Sequence, residues 1–180
     1  IVDGGHSLKS KSSFLPSSAS QAKPPQLLAH YDFPDDWEIL LVILDSKNTV
    51  NGQKEVNIFQ DYCPVPKNEV EQTSHIIFMN MIPFLLERDL PAFGHSIDEI
   101  QKRGFKNVEV SLQSQQIRDL MDKLREIGAY GVGMSSFGPT VYSVFDKNNK
   151  HIVEEIKEYV GNRGIVLTTK AQNYGHEIQK

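Results

Sequence analysis

The sequence has a single cysteine, Cys63. A disulfide within the chain is therefore excluded, and a reducing, cytoplasmic setting is expected. No apolar run is long enough to span a bilayer, so no membrane partner is expected. Lysine and arginine do not cluster beyond Lys9, Lys11 and Lys23, and the net charge is −4. That pattern lacks the basic footprint of a nucleic-acid binder. None of the six histidines stands at ligand spacing from Cys63 or from another histidine. No protein-built metal site is read from them. What remains is 180 residues, 39% hydrophobic and 23% charged. This composition suits one soluble globular domain with a real core. The chain does not begin with methionine and opens on a strand-like Ile1-Val-Asp-Gly-Gly. It reads as a C-terminal piece of a longer protein.

Glycine is sparse except between Gly128 and Phe145, where Gly128, Gly131, Gly133 and Gly138 are interleaved with Ser135, Ser136 and Thr140. Glycines let a backbone take positive φ and let a ligand approach closely. Successive N–H groups in such a bend can converge on an anion. The plainer alternative is a tight helix-to-strand turn.

Other segments follow from their patterns. Ile1 to Gly5 reads as a strand end and turn bracketed by Asp3 and His6. Ser7 to Pro25 has loop composition, and its Lys9, Lys11 and serines could meet a phosphate or merely be solvated. Trp37 to Asp45 is a short apolar run bounded by turn residues, a buried strand. Val50 to Pro66 reads as a loop or short excursion. Asn68 and Glu71 suggest a capping box opening a helix that is apolar on nearly all faces, hence central, largely buried and kinked at Pro83. Pro91 to Lys102 is a second helix. Ser114 to Ile127 is amphipathic, with Ile117, Leu120, Met121 and Leu124 on one face, and Gly128 stops it. Thr140 to Asp146 alternates as a strand, His151 to Val160 as a helix, and Gly164 to Thr169 is the last strand. This order suits an α+β two-layer sandwich with helices on one face of a small antiparallel sheet.

The run Gly131-Val-Gly-Met-Ser-Ser-Phe-Gly-Pro-Thr-Val-Tyr resembles the third motif of the GHMP superfamily of small-molecule kinases. Its paired serines and Gly-Pro-Thr resemble a narrower branch, the archaeal beta-ribofuranosylaminobenzene 5'-phosphate synthases. Ile1-Val-Asp-Gly-Gly-His, Phe14-Leu-Pro-Ser-Ser-Ala-Ser, Phe33-Pro-Asp-Asp-Trp, Asp89-Leu-Pro-Ala-Phe-Gly and Asn173-Tyr-Gly are similar to segments of the same branch.

The resemblance implies a ferredoxin-like GHMP C-terminal domain over residues 31–180. Residues 1–30 would be the end of a preceding domain plus its loop, and the N-terminal nucleotide-loop domain is absent from this sequence. It further implies a decarboxylating transfer of ribose 5-phosphate from phosphoribosyl pyrophosphate to 4-aminobenzoate or 4-hydroxybenzoate in methanopterin synthesis, with Mg²⁺. Gly131, Gly133, Ser135, Ser136, Gly138 and Thr140 would bind the donor phosphate, aided by Lys9 and Lys11. Asp3 and His6 would serve the reacting centre. A homo-oligomer is expected, and the fragment alone would be inactive. Two rival readings stand beside this one: an ATP-dependent small-molecule kinase, and a non-catalytic binding or dimerisation module.

Overall fold

The computed structural model describes residues 1–3, 15, 23–45, 50 and 52–175. His6, Lys9 and Lys11 lie outside the described residues. Two short strands, β1 (Val2–Asp3) and β2 (Leu27–Ala29), pair as an antiparallel ribbon. A separate four-stranded antiparallel sheet contains β3 (Glu38–Leu44), β4 (Tyr130–Met134), β5 (Thr140–Phe145) and β6 (Gly164–Thr169), in the order β4-β5-β3-β6. Helices separate β3 from β4 and β5 from β6, which is the split βαβ, ferredoxin-like arrangement.

Alternation along the strands builds the core. Leu40, Val42 and Leu44 of β3, Val132 and Met134 of β4, and Val141 and Phe145 of β5 all point to one face. There they meet α6 (Gln115–Glu126) and α7 (His151–Val160). Ile117, Leu120, Met121 and Leu124 of α6 are fully buried, as their helical spacing requires. The expected sandwich is thus present. Its second face is also partly covered, by α4 (Leu90–Gln101), whose Leu90, Phe93 and Ile97 pack with Trp37 and Val144.

Glycines permit that second packing. Gly131 and Gly133 alternate with Val132 and Met134, so they face away from the main core. The stretch is a strand, not the tail of a helix-to-strand turn. A Cβ on Gly94 of α4 would lie 2.6 Å from the Gly131 amide nitrogen, and one on Gly133 would lie 2.4 Å from the Tyr142 ring. Helix and edge strand are in backbone contact.

Three further expectations give way. Val50 to Pro66 is mostly helical: α1 (Gly52–Tyr62) buries Ile58 and stacks Phe59 on Phe105. A short α5 (Gly104–Ser111) follows α4. The helix expected to be central lies at the periphery. It runs as α2 (Lys67–Ile76), a π-helical turn Ile77–Met81, then α3 (Ile82–Glu87). Only Ile76 is buried in it, while Phe78 and Met79 are 53% and 63% exposed. No side chain caps its start; Glu69 instead accepts a hydrogen bond from the Gly104 N–H at 3.1 Å. Pro83, which lacks an N–H, falls where the widened π turn hands over to α3, so the irregularity takes that form.

Replacing Gly94 with alanine would raise helix propensity by about 1 kcal/mol. Its contact with β4 predicts the opposite sign. Gly94→Ala should destabilise by about 1–3 kcal/mol and lower the thermal midpoint by several degrees. A midpoint that holds or rises would contradict the close approach.

Candidate functional site

The paired serines sit in the hairpin loop, residues 135–139, that joins β4 to β5. Ser135 and Ser136 are exposed, while Phe137 between them and Gly138 is buried. The Phe137 ring fixes the loop from beneath, 5.9 Å from Phe105 and 6.5 Å from Phe59, both edge-on. Polar contacts from α4, α5 and the turn after α5 complete the support. Gln113 donates to the Phe137 carbonyl at 2.6 Å. Lys106 donates to the Met134 and Ser136 carbonyls at 3.2 and 3.4 Å and pairs with the buried Glu109. Gln101 of α4 accepts from the Met134 N–H at 3.1 Å.

The expected cradle of amides from Gly133 to Gly138 is narrower than the residue pattern suggests. The Ser135 N–H donates to the Thr140 carbonyl at 2.9 Å and the Gly138 N–H to the Ser135 carbonyl at 2.8 Å. Among the described residues, Ser136 and Phe137 keep amides that donate to no neighbour. Ser136 has φ 47°, and a serine there costs about 1–2 kcal/mol. Such strain persists where surroundings over-determine it, and it concentrates at functional sites. The loop therefore presents two amides and the hydroxyls of Ser135, Ser136 and the half-buried Thr140. Gly131 and Gly133 do not join this set. They are buried in β4, against α4 and Tyr142, where their role is close packing. Gly138, with φ 69°, stays in the loop, and a Cβ there would press on Met134 and Gln113.

Asp3 lies elsewhere, on β1, beside a cleft it shares with His30, Tyr31 and Asn173. A third concavity, of ≈ 580 Å³, separates α4, α5 and α6. Its charges are engaged structurally. Arg125 bonds Asp98 at 3.1 Å, and Arg118 reaches the Ser111 and Gln113 carbonyls. Burial pushes the Asp98 carboxyl above its ordinary range despite that arginine. The Tyr142 phenol, over Gly133, is likewise pushed up by burial, with Asp98 and Glu109 adding to it. Among the described residues, no group of three or more His, Cys, Asp or Glu side chains could hold a metal ion. No described helix is long and apolar enough to cross a membrane.

Fold and loop together have counterparts among known proteins. Residues 81–165 match the family model of the GHMP kinases' C-terminal region. Along nearly its whole length the chain is similar to the beta-ribofuranosylphenol 5'-phosphate synthases. The Methanothermobacter thermautotrophicus synthase is 49% identical over 97% of this chain and 53% of the relative. The one from Archaeoglobus fulgidus is 44% identical over 99% of the chain and 56% of the relative. The chain thus spans about half the length of the curated relatives it matches. Among solved structures, a homoserine kinase from Cytophaga hutchinsonii superposes with a TM-score of 0.58 at 14% identity, covering 78% of this chain and 44% of that one. A mevalonate pyrophosphate decarboxylase from Streptococcus pyogenes gives 0.51 at 15% identity, covering 81% of this chain and 48% of that one. These likenesses concern the fold.

The support beneath the loop was not legible residue by residue. Lys106, Gln113 and Gln101 carry no motif; only the fold brings α4 and α5 under the hairpin. Phe137→Ala should cost about 3 kcal/mol, at the low end for a buried phenylalanine. Phe137→Leu should cost less than about 1.5 kcal/mol. Chemical denaturation measures both, and equal stability of Phe137→Ala and wild type would contradict the anchoring role.

Proposed function

We propose that this chain is the C-terminal part of a beta-ribofuranosylphenol 5'-phosphate synthase, a decarboxylating phosphoribosyltransferase. The observation that carries the reading is identity of 44–49% to such synthases along nearly the whole chain. The kinase alternative rests on fold likeness at 14–18% identity, and fold does not fix chemistry. The relatives' name points to a phenol product, which favours 4-hydroxybenzoate over 4-aminobenzoate as acceptor. A cytoplasmic place in archaeal methanopterin synthesis follows from the same reading.

The reaction makes one new bond and breaks two. The ribosyl carbon of phosphoribosyl pyrophosphate bonds to the ring carbon that bears the carboxylate. The bond to pyrophosphate breaks, and pyrophosphate leaves with the electron pair. The ring–carboxyl bond then breaks, its electrons restore the aromatic ring, and carbon dioxide departs. Charge grows on pyrophosphate as it leaves, so fixed donors aimed at its oxygens lower the barrier. The Ser136 and Phe137 amides with the three hydroxyls of the 135–140 hairpin are donors of that kind. Mg²⁺ would neutralise pyrophosphate charge, and such an ion is held chiefly by phosphate oxygens with one or two carboxylates. Asp3, on β1 beside the cleft rather than at the hairpin, would serve the reacting centre or the ion from the side where donor and acceptor meet. His6 would contact the acceptor carboxylate or a donor phosphate, and Lys9 and Lys11 would belong to a loop closing over the donor.

The test uses the full-length protein that contains this chain, with phosphoribosyl pyrophosphate, Mg²⁺ and carboxyl-labelled 4-hydroxybenzoate. Labelled carbon dioxide should be released only when the donor is present. Ser135→Ala combined with Ser136→Ala should weaken donor binding at least tenfold, about 1.4 kcal/mol. ATP turnover with an alcohol substrate, and no carbon dioxide, would overturn the reading in favour of a kinase.

A further inference from the structure

The cleft beside Asp3 has a volume of ≈ 550 Å³ and lies between β1, the π-helical turn, α4 and residues 171–173. Its apolar walls include Phe33, Ile77, Met81, Leu85, Phe93 and Ile100, and its polar groups include Asp3, His30, Tyr31 and Asn173. That size falls in the ~300–1,000 Å³ range of small-molecule sites, which combine apolar walls with a few placed polar groups.

The fold fixes one wall firmly. The Asn173 side chain clasps the Phe33 backbone in both directions, accepting from its N–H and donating to its carbonyl, each at 2.9 Å. The Phe33 ring then packs edge-on against Trp37 and Phe93, at 5.4 and 5.8 Å. Aromatic rings prefer that geometry, and a flat ring entering the cleft can extend the cluster.

Charge narrows the ligand. Among the described side chains that line it, only His30 can become a cation. Among the described residues a phosphate or pyrophosphate would meet no guanidinium or lysine ammonium there, and such groups are what bind polyanions tightly. The donor belongs at the hairpin. A carboxylate that must leave as neutral carbon dioxide has the reverse need. An arginine clamp would stabilise the charge that has to vanish. An apolar wall strips the carboxylate of water, a penalty that disappears when carbon dioxide forms.

We propose that this cleft binds the acceptor, a monocyclic aromatic acid, with its ring against Phe33, Met81 and Phe93. Asn173 is a positioning residue for that wall. The proposal rests on the synthase reading and adds the second substrate's place. It also fits the layout of α4: Ile100 lines the cleft, and the next residue, Gln101, holds the base of the hairpin loop. Donor and acceptor would thus approach one another around the last turn of a single helix.

The test is a methyl NMR titration of the full-length protein labelled at methionine, with Met81 assigned through Met81→Leu and 4-hydroxybenzoate as the probe. The Met81 methyl should shift and saturate with 4-hydroxybenzoate, and stay still with pyrophosphate. In steady-state assays Met81→Trp should raise KM for 4-hydroxybenzoate at least tenfold and leave KM for phosphoribosyl pyrophosphate within twofold. Asn173→Asp, which loses the donor to the Phe33 carbonyl, should shift the same KM in the same direction. If Met81→Trp does not fold, the wild-type titration decides alone. A silent Met81 methyl in an enzyme that releases carbon dioxide overturns the cleft assignment and leaves the synthase reading intact. ATP turnover without carbon dioxide release overturns both.

Discussion

Backbone contact between α4 and β4 is the constraint on which the rest of this structure depends. Gly94 and Gly131 carry no side chains at the point where helix and edge strand meet. That allows α4 to lie directly on β4, with Ile97 over Gly131 and Gln101 over the end of the strand. The helix then serves two places at once. Its last turn ties down the β4–β5 hairpin, and Phe93 and Ile100 wall the cleft beside Asp3. A larger residue at either glycine would force the helix outward and shift both.

Aromatic clusters do the local work in each place. Phe59, Phe105 and Phe137 draw α1, α5 and the hairpin loop together, leaving the serines outward and the Phe137 side chain inward. Phe33, Trp37 and Phe93 do the same where β3 begins and α4 starts, with Asn173 pinning the chain after β6 to Phe33. Segments far apart in sequence therefore share one cleft. The strained backbone of Ser136 is held by Lys106 and Gln113 rather than by its own preference. A rigid support under a small exposed set of donors is what anion binding without reorganisation requires.

Elements with local signals were readable from the amino acids alone. α6 shows a clean apolar face, α7 is closed by Gly161, and β3, β5 and β6 are short runs between turn residues. β4 was hidden because glycines replaced the side chains that mark a strand. Yet the alternation of Gly131 and Gly133 with Val132 and Met134 was there to be seen. α1 and α5 lack a strong apolar period, and their places depend on Phe59 and Phe105 finding Phe137. The α2–α3 helix misleads for another reason. A helix apolar on every side reads as buried, but Phe78, Met79 and Leu86 face outward in this chain. The candidate site divides in the same way. The hairpin hydroxyls and Asp3 were visible as residue types in a turn. The cleft and its aromatic wall exist only once distant segments meet.

The most direct measurement is the pair of backbone amide signals from Ser136 and Phe137 in ¹⁵N spectra of the full-length protein, followed as phosphoribosyl pyrophosphate and Mg²⁺ are added. Both resonances should move strongly and together, with Gly131 and Gly133 little changed. If those two signals stay fixed while donor-dependent shifts gather elsewhere, the hairpin is not the grip on the leaving pyrophosphate.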